Sequence, residues 1–201
     1  MADPSELSSV SGRRAALPGR FDLVESARRL GACAWVEERL FEVLGSWVQG
    51  VPEPAVKIAL ARHSRGHAAH ALLLSEAVPR RHDGEDVVVA GADGLAAVVE
   101  ALVGTEGTVE RLTGVVRVVV PRMVAAYAYH LEGTSRVADT ATARALRMVL
   151  ADEIDHWREG ETLLQGLLRT PRDVEAAARA QGALESLVVA AGGIAGPGTL
   201  G

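Results

Sequence analysis

This 201-residue sequence has one cysteine, one lysine and very few aromatic side chains. The lone Cys33 excludes an intrachain disulfide framework and fits a reducing compartment. With Lys57 the only lysine, positive charge is nearly all arginine, scattered through a chain of net charge -5. No basic stripe or aromatic–basic alternation is present, so a nucleic-acid surface and an anionic-membrane surface are not expected. Uninterrupted apolar runs are also missing. Arg117 splits the valines around it, and Asp93 and Glu100 break the earlier run, so no membrane span is expected. The residues from Met1 lack the apolar core of a signal peptide, and the expected location is the cytoplasm.

What the sequence does have is helical periodicity. Residues 1–20, rich in Ser, Pro, Gly and Arg, read as a flexible lead-in, and 191–201 as a flexible Gly/Pro-rich tail. Between them, 21–190 reads as one domain. Asp22 with Glu25 opens a first helix whose stripe is Leu23, Ala27, Leu30, Ala34, Glu37, Phe41, Leu44 and Val48. After Gly50 and Val51-Pro52-Glu53-Pro54, a second helix to Val78 carries Val56, Leu60, His63, His67, His70 and Leu74. A long crossover follows, with a weak strand signal at Val87-Val88-Val89 and a short helix from Gly94 to Val103. The third long helix, about Thr108 to Glu132, has Pro121 inside it, where a kink is expected. The fourth, about Asp139 to Arg169, has the stripe Leu146, Val149, Glu153, His156, Gly160, Leu163 and Leu167. Thr170-Pro171-Arg172-Asp173 opens a fifth helix with an apolar face of Val174, Ala177, Ala178, Leu184, Leu187 and Val188. That face is expected to cap the bundle or to form a homodimer. The spacing of links, short then long then short, is that of an all-α four-helix bundle with one crossover.

Ionisable residues stand where core residues belong. A buried, unpaired charge costs several kcal/mol, so Glu37, His63, His67, His70, Glu153 and His156 must be satisfied by one another or by a ligand. Counting along the helices puts Glu37 roughly 21 Å below the first turn. His63, His67 and Glu153 fall near that level, with His70 and His156 a turn away. Tyr127 and His130 fall well below it. Asp152 and Asp155 flank the stripe and are expected to be solvated, free to orient His63 or His156. Met123, Trp157 and Cys33 are expected in the core.

Glu153-x-x-His156 on the last bundle helix, with Glu37 on the first, resembles the ferritin-like superfamily of rubrerythrin-type and di-iron-carboxylate proteins. The likeness spans about residues 22 to 169. It implies two metals held between the helices, a second Glu-x-x-His on the second helix and a glutamate on the third. This sequence has His67-Ala68-Ala69-His70 at the first of these places, and Val116, Val119 and Val120 at the second. Two divalent ions about 3.5 Å apart repel by roughly 19 kcal/mol at an effective dielectric of 20, and the core stripes supply only two carboxylates. At most one tightly held ion is therefore expected, on some of Glu37, His63, His67, His70, Glu153 and His156, and the donor types suit iron (Fe), with Mn or Zn as alternatives.

The function this implies is a metal-dependent oxidoreductase or oxygenase acting on a small molecule. Glu37, Glu153, His67 and Tyr127 are its candidate catalytic residues. Two other readings fit the same residues: a metal-free enzyme using buried Glu and His as general acids and bases, and a non-catalytic bundle in which they form a closed structural network.

Overall fold

Asp22 turns its side chain back to accept a hydrogen bond from the Glu25 backbone N–H at 2.8 Å, and the first helix starts there. The molecule is described by a computed structural model, which covers residues 21–79, 93–135 and 139–195. The lead-in, the Val87-Val88-Val89 strand signal and residues 196–201 lie outside the described residues. Within them the chain forms six helices and no strand. These are α1 (Leu23–Trp47), α2 (Pro54–Ala77), α3 (Asp93–Val103), α4 (Thr108–Gly133), α5 (Thr140–Leu167) and α6 (Pro171–Ala190).

The helix ends follow local chemistry. Pro54 and Pro171 stand in first turns, where the missing N–H would have had no partner. Thr170 and Asp173 exchange hydrogen bonds in a reciprocal cap. Pro121 does not end α4. The six residues Gly114–Val119 just before it wind as a π-helix, a wider turn that re-registers the hydrogen-bond ladder next to the missing donor.

Each of the four long helices touches two others: α1 lies along α2, α2 along α5, α5 along α4, and α4 returns to α1. Pairs across the α2–α5 seam run in opposite directions, His63 with Glu159, Gly66 with His156 and His70 with Asp152, so these helices are antiparallel. Leu30, Leu40, Leu44, Leu74, Met123, Leu146 and Leu164 fill the interior, each contributing about 1.5–3 kcal/mol on burial. Gly160 permits close packing of α5 on the π-helical stretch, since a Cβ there would come within 2.5 Å of a Val116 methyl. By length and composition α4 is apolar enough to cross a membrane; 61% of its apolar window is buried inside the protein, as in a core helix.

Helix α6 rests on α3 and α4, with Ala177, Leu184 and Val188 buried. Part of the expected apolar face therefore packs within the chain, whereas Val174 and Ala178, also placed on it, are exposed. Past α6, Ile194 and Ala195 are also buried, and the Ala195 carbonyl accepts from Arg28 at 3.2 Å.

Three stripe or core expectations are corrected. Phe41, Leu23 and Trp157 are exposed. The buried face of α1 runs through Ser26, Leu30, Cys33, Glu37, Leu40, Leu44 and Trp47, which leaves Phe41 one residue off it. Met123 and Cys33 are in the core as expected.

Candidate metal centre

Four helices each bring part of one polar group to the middle of the bundle. α1 supplies Glu37, α2 supplies His67 and His70, α4 supplies Tyr127 and α5 supplies Glu153. One ligand-type atom from each of Glu37, His67, His70 and Glu153 lies within 4.8 Å of all the others. His67 Nδ1 donates to Glu37 Oε2 at 2.5 Å and stands 3.3 Å from Glu153 Oε1. His70 Nδ1 donates to Glu153 Oε1 at 3.0 Å and lies 3.5 Å from Glu37 Oε1. Tyr127 donates its hydroxyl proton to Glu37 Oε1 at 2.6 Å. Glu37 and Glu153 are wholly buried, and His67 and His70 almost so.

Burial alone would strip the charge from each imidazole. The two carboxylates reverse that. His70 is buried enough to be pushed down, yet hydrogen bonds to Glu153 and Glu37 carry it up to about 10. His67 also rises, because the charges of Glu153 and Glu37 outweigh its desolvation. Burial would raise Glu153; the charge on His67 and hydrogen bonds from His156 and His70 instead hold it far below the usual carboxylate range. Tyr127 is pushed well above its ordinary value by burial and by the Glu37 charge, so it stays a neutral donor. The carboxylates thus raise the proton affinity of both imidazoles, and the imidazoles in turn hold Glu153 toward its charged form.

A second set of residues flanks this group on the α2–α5 side. His63 Nε2 donates to Glu159 Oε2 at 2.7 Å, and Arg62 pairs with the same carboxylate. The His63 ring stacks on that of His156 with centroids 4.3 Å apart. His156 Nδ1 reaches Glu153 Oε1 at 3.3 Å. Burial and the neighbouring His156 bring His63 down to about 4, so it is neutral where His67 and His70 are charged. Asp152 is largely exposed, as expected, but the histidine it touches is His70, at Nε2 and 3.2 Å. Asp155 faces solvent and pairs with Arg158.

Of the residues singled out in the sequence, Glu37, His67, His70 and Glu153 therefore converge, with His63 and His156 beside them. Tyr127 was placed too low by counting, and it joins the group. His130 does not: its Nε2 lies 3.0 Å from the Ser26 hydroxyl, near one end of the bundle. Glu159 and Arg62 went unnoticed. The signal was available, since His63 and His70 are seven apart on α2, and Asp152 and Glu159 are seven apart on α5.

The donor set suits a divalent ion of intermediate softness, with two imidazoles and two carboxylates. Among the described residues, two atoms in it have no hydrogen-bond partner despite full burial, His67 Nε2 and Glu153 Oε2. A closed structural network would satisfy both. The residues present therefore fit a metal. No protein-family model, curated protein or solved structure matches the chain.

Proposed function

We propose that this chain is a ferritin-like bundle that holds one divalent metal ion on Glu37, His67, His70 and Glu153, and that it acts as an oxidoreductase or oxygenase on a small molecule. The observation that carries the reading is the convergence of four ligand atoms within 4.8 Å, two of the four side chains retaining a buried, unpartnered atom. The ring of four long helices, with α2 and α4 joined by the long crossover, supports the ferritin-like comparison. Charge supports a single ion. Two carboxylates and two neutral imidazoles balance one charge of +2, and a second ion would leave that excess in a dry interior.

Bound there, iron would supply one-electron chemistry and a place for dioxygen, and manganese or zinc would supply Lewis acidity. The chain's own residues do the rest. Tyr127 fixes the orientation of Glu37 through its hydroxyl. Asp152 holds the outer nitrogen of His70, which leaves Nδ1 turned inward. His67 and His70 give up their extra protons when they become ligands. Burial by the surrounding leucines and valines excludes bulk water.

Metal-free acid–base chemistry is the second reading. It is favoured by the line Tyr127–Glu37–His67, with links of 2.6 and 2.5 Å, along which a proton can be held or passed. Metal quantification on protein purified without chelator separates the two. About one equivalent in the wild type and none in Glu153→Ala supports the metal reading. Absence from both, after anaerobic loading with Fe(II), Mn(II) and Zn(II), leaves the acid–base reading.

A further inference from the structure

The four converging side chains are sealed, so an ion has to reach them through something that moves. The bundle interior is otherwise apolar, with Leu30, Val116, Met123, Leu146 and Val149 among its buried residues. The polar connections to solvent lie on one side, along the α2–α5 seam. There His156 hydrogen-bonds Glu153 and is itself partly exposed, at 17% of its side chain. Its ring centroid is 5.7 Å from that of His67 and 5.8 Å from that of His70, so the ring stands between them and the outside.

We propose that a divalent cation enters between α2 and α5, past His156, and that the His156 ring is the gate rather than a permanent ligand. The proposal rests on the metal reading above. Three observations carry it. The ring is lightly held, by one long hydrogen bond of 3.3 Å and by its stack on His63. Its seat is cut by Gly66, where a Cβ would come within 2.7 Å of His156 Cε1, so the position fits the ring only as long as residue 66 has no side chain. At the rim Asp155 is paired with Arg158 and Glu159 with Arg62 and His63, while Asp152, 62% exposed, meets only the His70 imidazole among the described residues, so it is the carboxylate an arriving cation would meet first.

The catch on the gate is His63. Its outer nitrogen is fixed by Glu159, which Arg62 holds in turn, so the stacking surface stays in place while the His156 ring turns away about its own side-chain torsions. A stack and a long hydrogen bond each bias such an equilibrium by a few-fold. Losing both should speed passage by about tenfold.

Stopped-flow binding of Co(II) to the full chain, read by cobalt absorbance, tests this with His156→Ala and His63→Ala. A gate is kinetic: its removal accelerates association and dissociation together. His156→Ala should raise both rates by about tenfold and His63→Ala by a few-fold, with Kd changed by no more than about threefold. If only dissociation accelerates, His156 is a ligand and the proposal is wrong. Unchanged rates in both variants put the route elsewhere and also overturn it. Wild type that takes up no cobalt at any concentration rejects the metal reading itself. Thermal unfolding of each metal-free variant checks that it folds, and should His156→Ala fail to fold, His63→Ala decides.

Discussion

Two regions of this bundle bury histidine, and they treat it oppositely. In the middle, His67 and His70 face Glu37 and Glu153 and are held protonated, His70 up to about 10. Toward the end where α1 begins, His130 hydrogen-bonds the Ser26 hydroxyl, with the Phe21 ring edge-on to it and the Arg29 guanidinium over Phe21. Burial and the Arg29 charge drive His130 down to about 4, so it is neutral. Its Nδ1 is buried without a partner, just as His67 Nε2 is. An orphaned nitrogen alone therefore does not make a site. What distinguishes the middle is the pair of carboxylates, which supply the negative charge a cation needs.

The largest test of that contrast is removal of a carboxylate. Glu153→Ala leaves His67 and His70 facing one negative charge in a dry interior. The metal-free protein should lose about 3–5 kcal/mol of stability at pH 7, measured by urea unfolding. A loss below about 1 kcal/mol would mean that the imidazoles are not charged in the folded state.

Next comes Tyr127→Phe, which removes the hydroxyl from Glu37 Oε1 without changing the ring. A hydrogen bond to a charged acceptor contributes about 1.5–3 kcal/mol, and a loss of that size should appear in the same unfolding experiment. An unchanged midpoint would show that Tyr127 only packs.

Per pH unit, the smallest effect is that of pH on His130 in the end region and on His63 beside the middle group. His63 and His130 have folded values near 4, below the ordinary 6.5, so the unfolded chain takes up their protons first as pH falls. Stability from these two is fully present above about pH 6.5 and is lost between there and about pH 4. The slope is up to about 1.4 kcal/mol per pH unit for each histidine. His130→Gln should remove one share of that slope and leave metal affinity alone. If the variant alters metal binding, the two regions are not independent.

Much of the arrangement was legible because a helix repeats every three to four residues. Glu37, His67 and Glu153 could be placed on inward stripes at a similar depth, with His70 a turn away, without coordinates. The stripe fixed on Phe41 ran one residue off the true face, because steps of three and four allow neighbouring stripes through the same apolar residues. The depth of Tyr127 failed for a different reason. Counting assumed a uniform α-helical rise, and the π-helical stretch Gly114–Val119 puts more residues into each turn, drawing those beyond it back toward the middle. Glu159 pairs across helices, and the matching spacings of seven, His63 to His70 on α2 and Asp152 to Glu159 on α5, show only when the two helices are set side by side. The role of Gly66 is a matter of a neighbouring ring, and nothing local to residue 66 announces it.

The most direct measurement is calorimetric titration of the metal-free protein with Zn(II) at pH 7, in two buffers of different ionisation enthalpy. The neighbouring carboxylates raise the proton affinity of His67 and His70, and ligands must be neutral imidazoles, so binding displaces protons. The account predicts one ion per chain and a net release of protons on binding, with both binding and proton release lost in Glu153→Ala. An ion that binds without releasing protons, or no binding at any concentration, would contradict it.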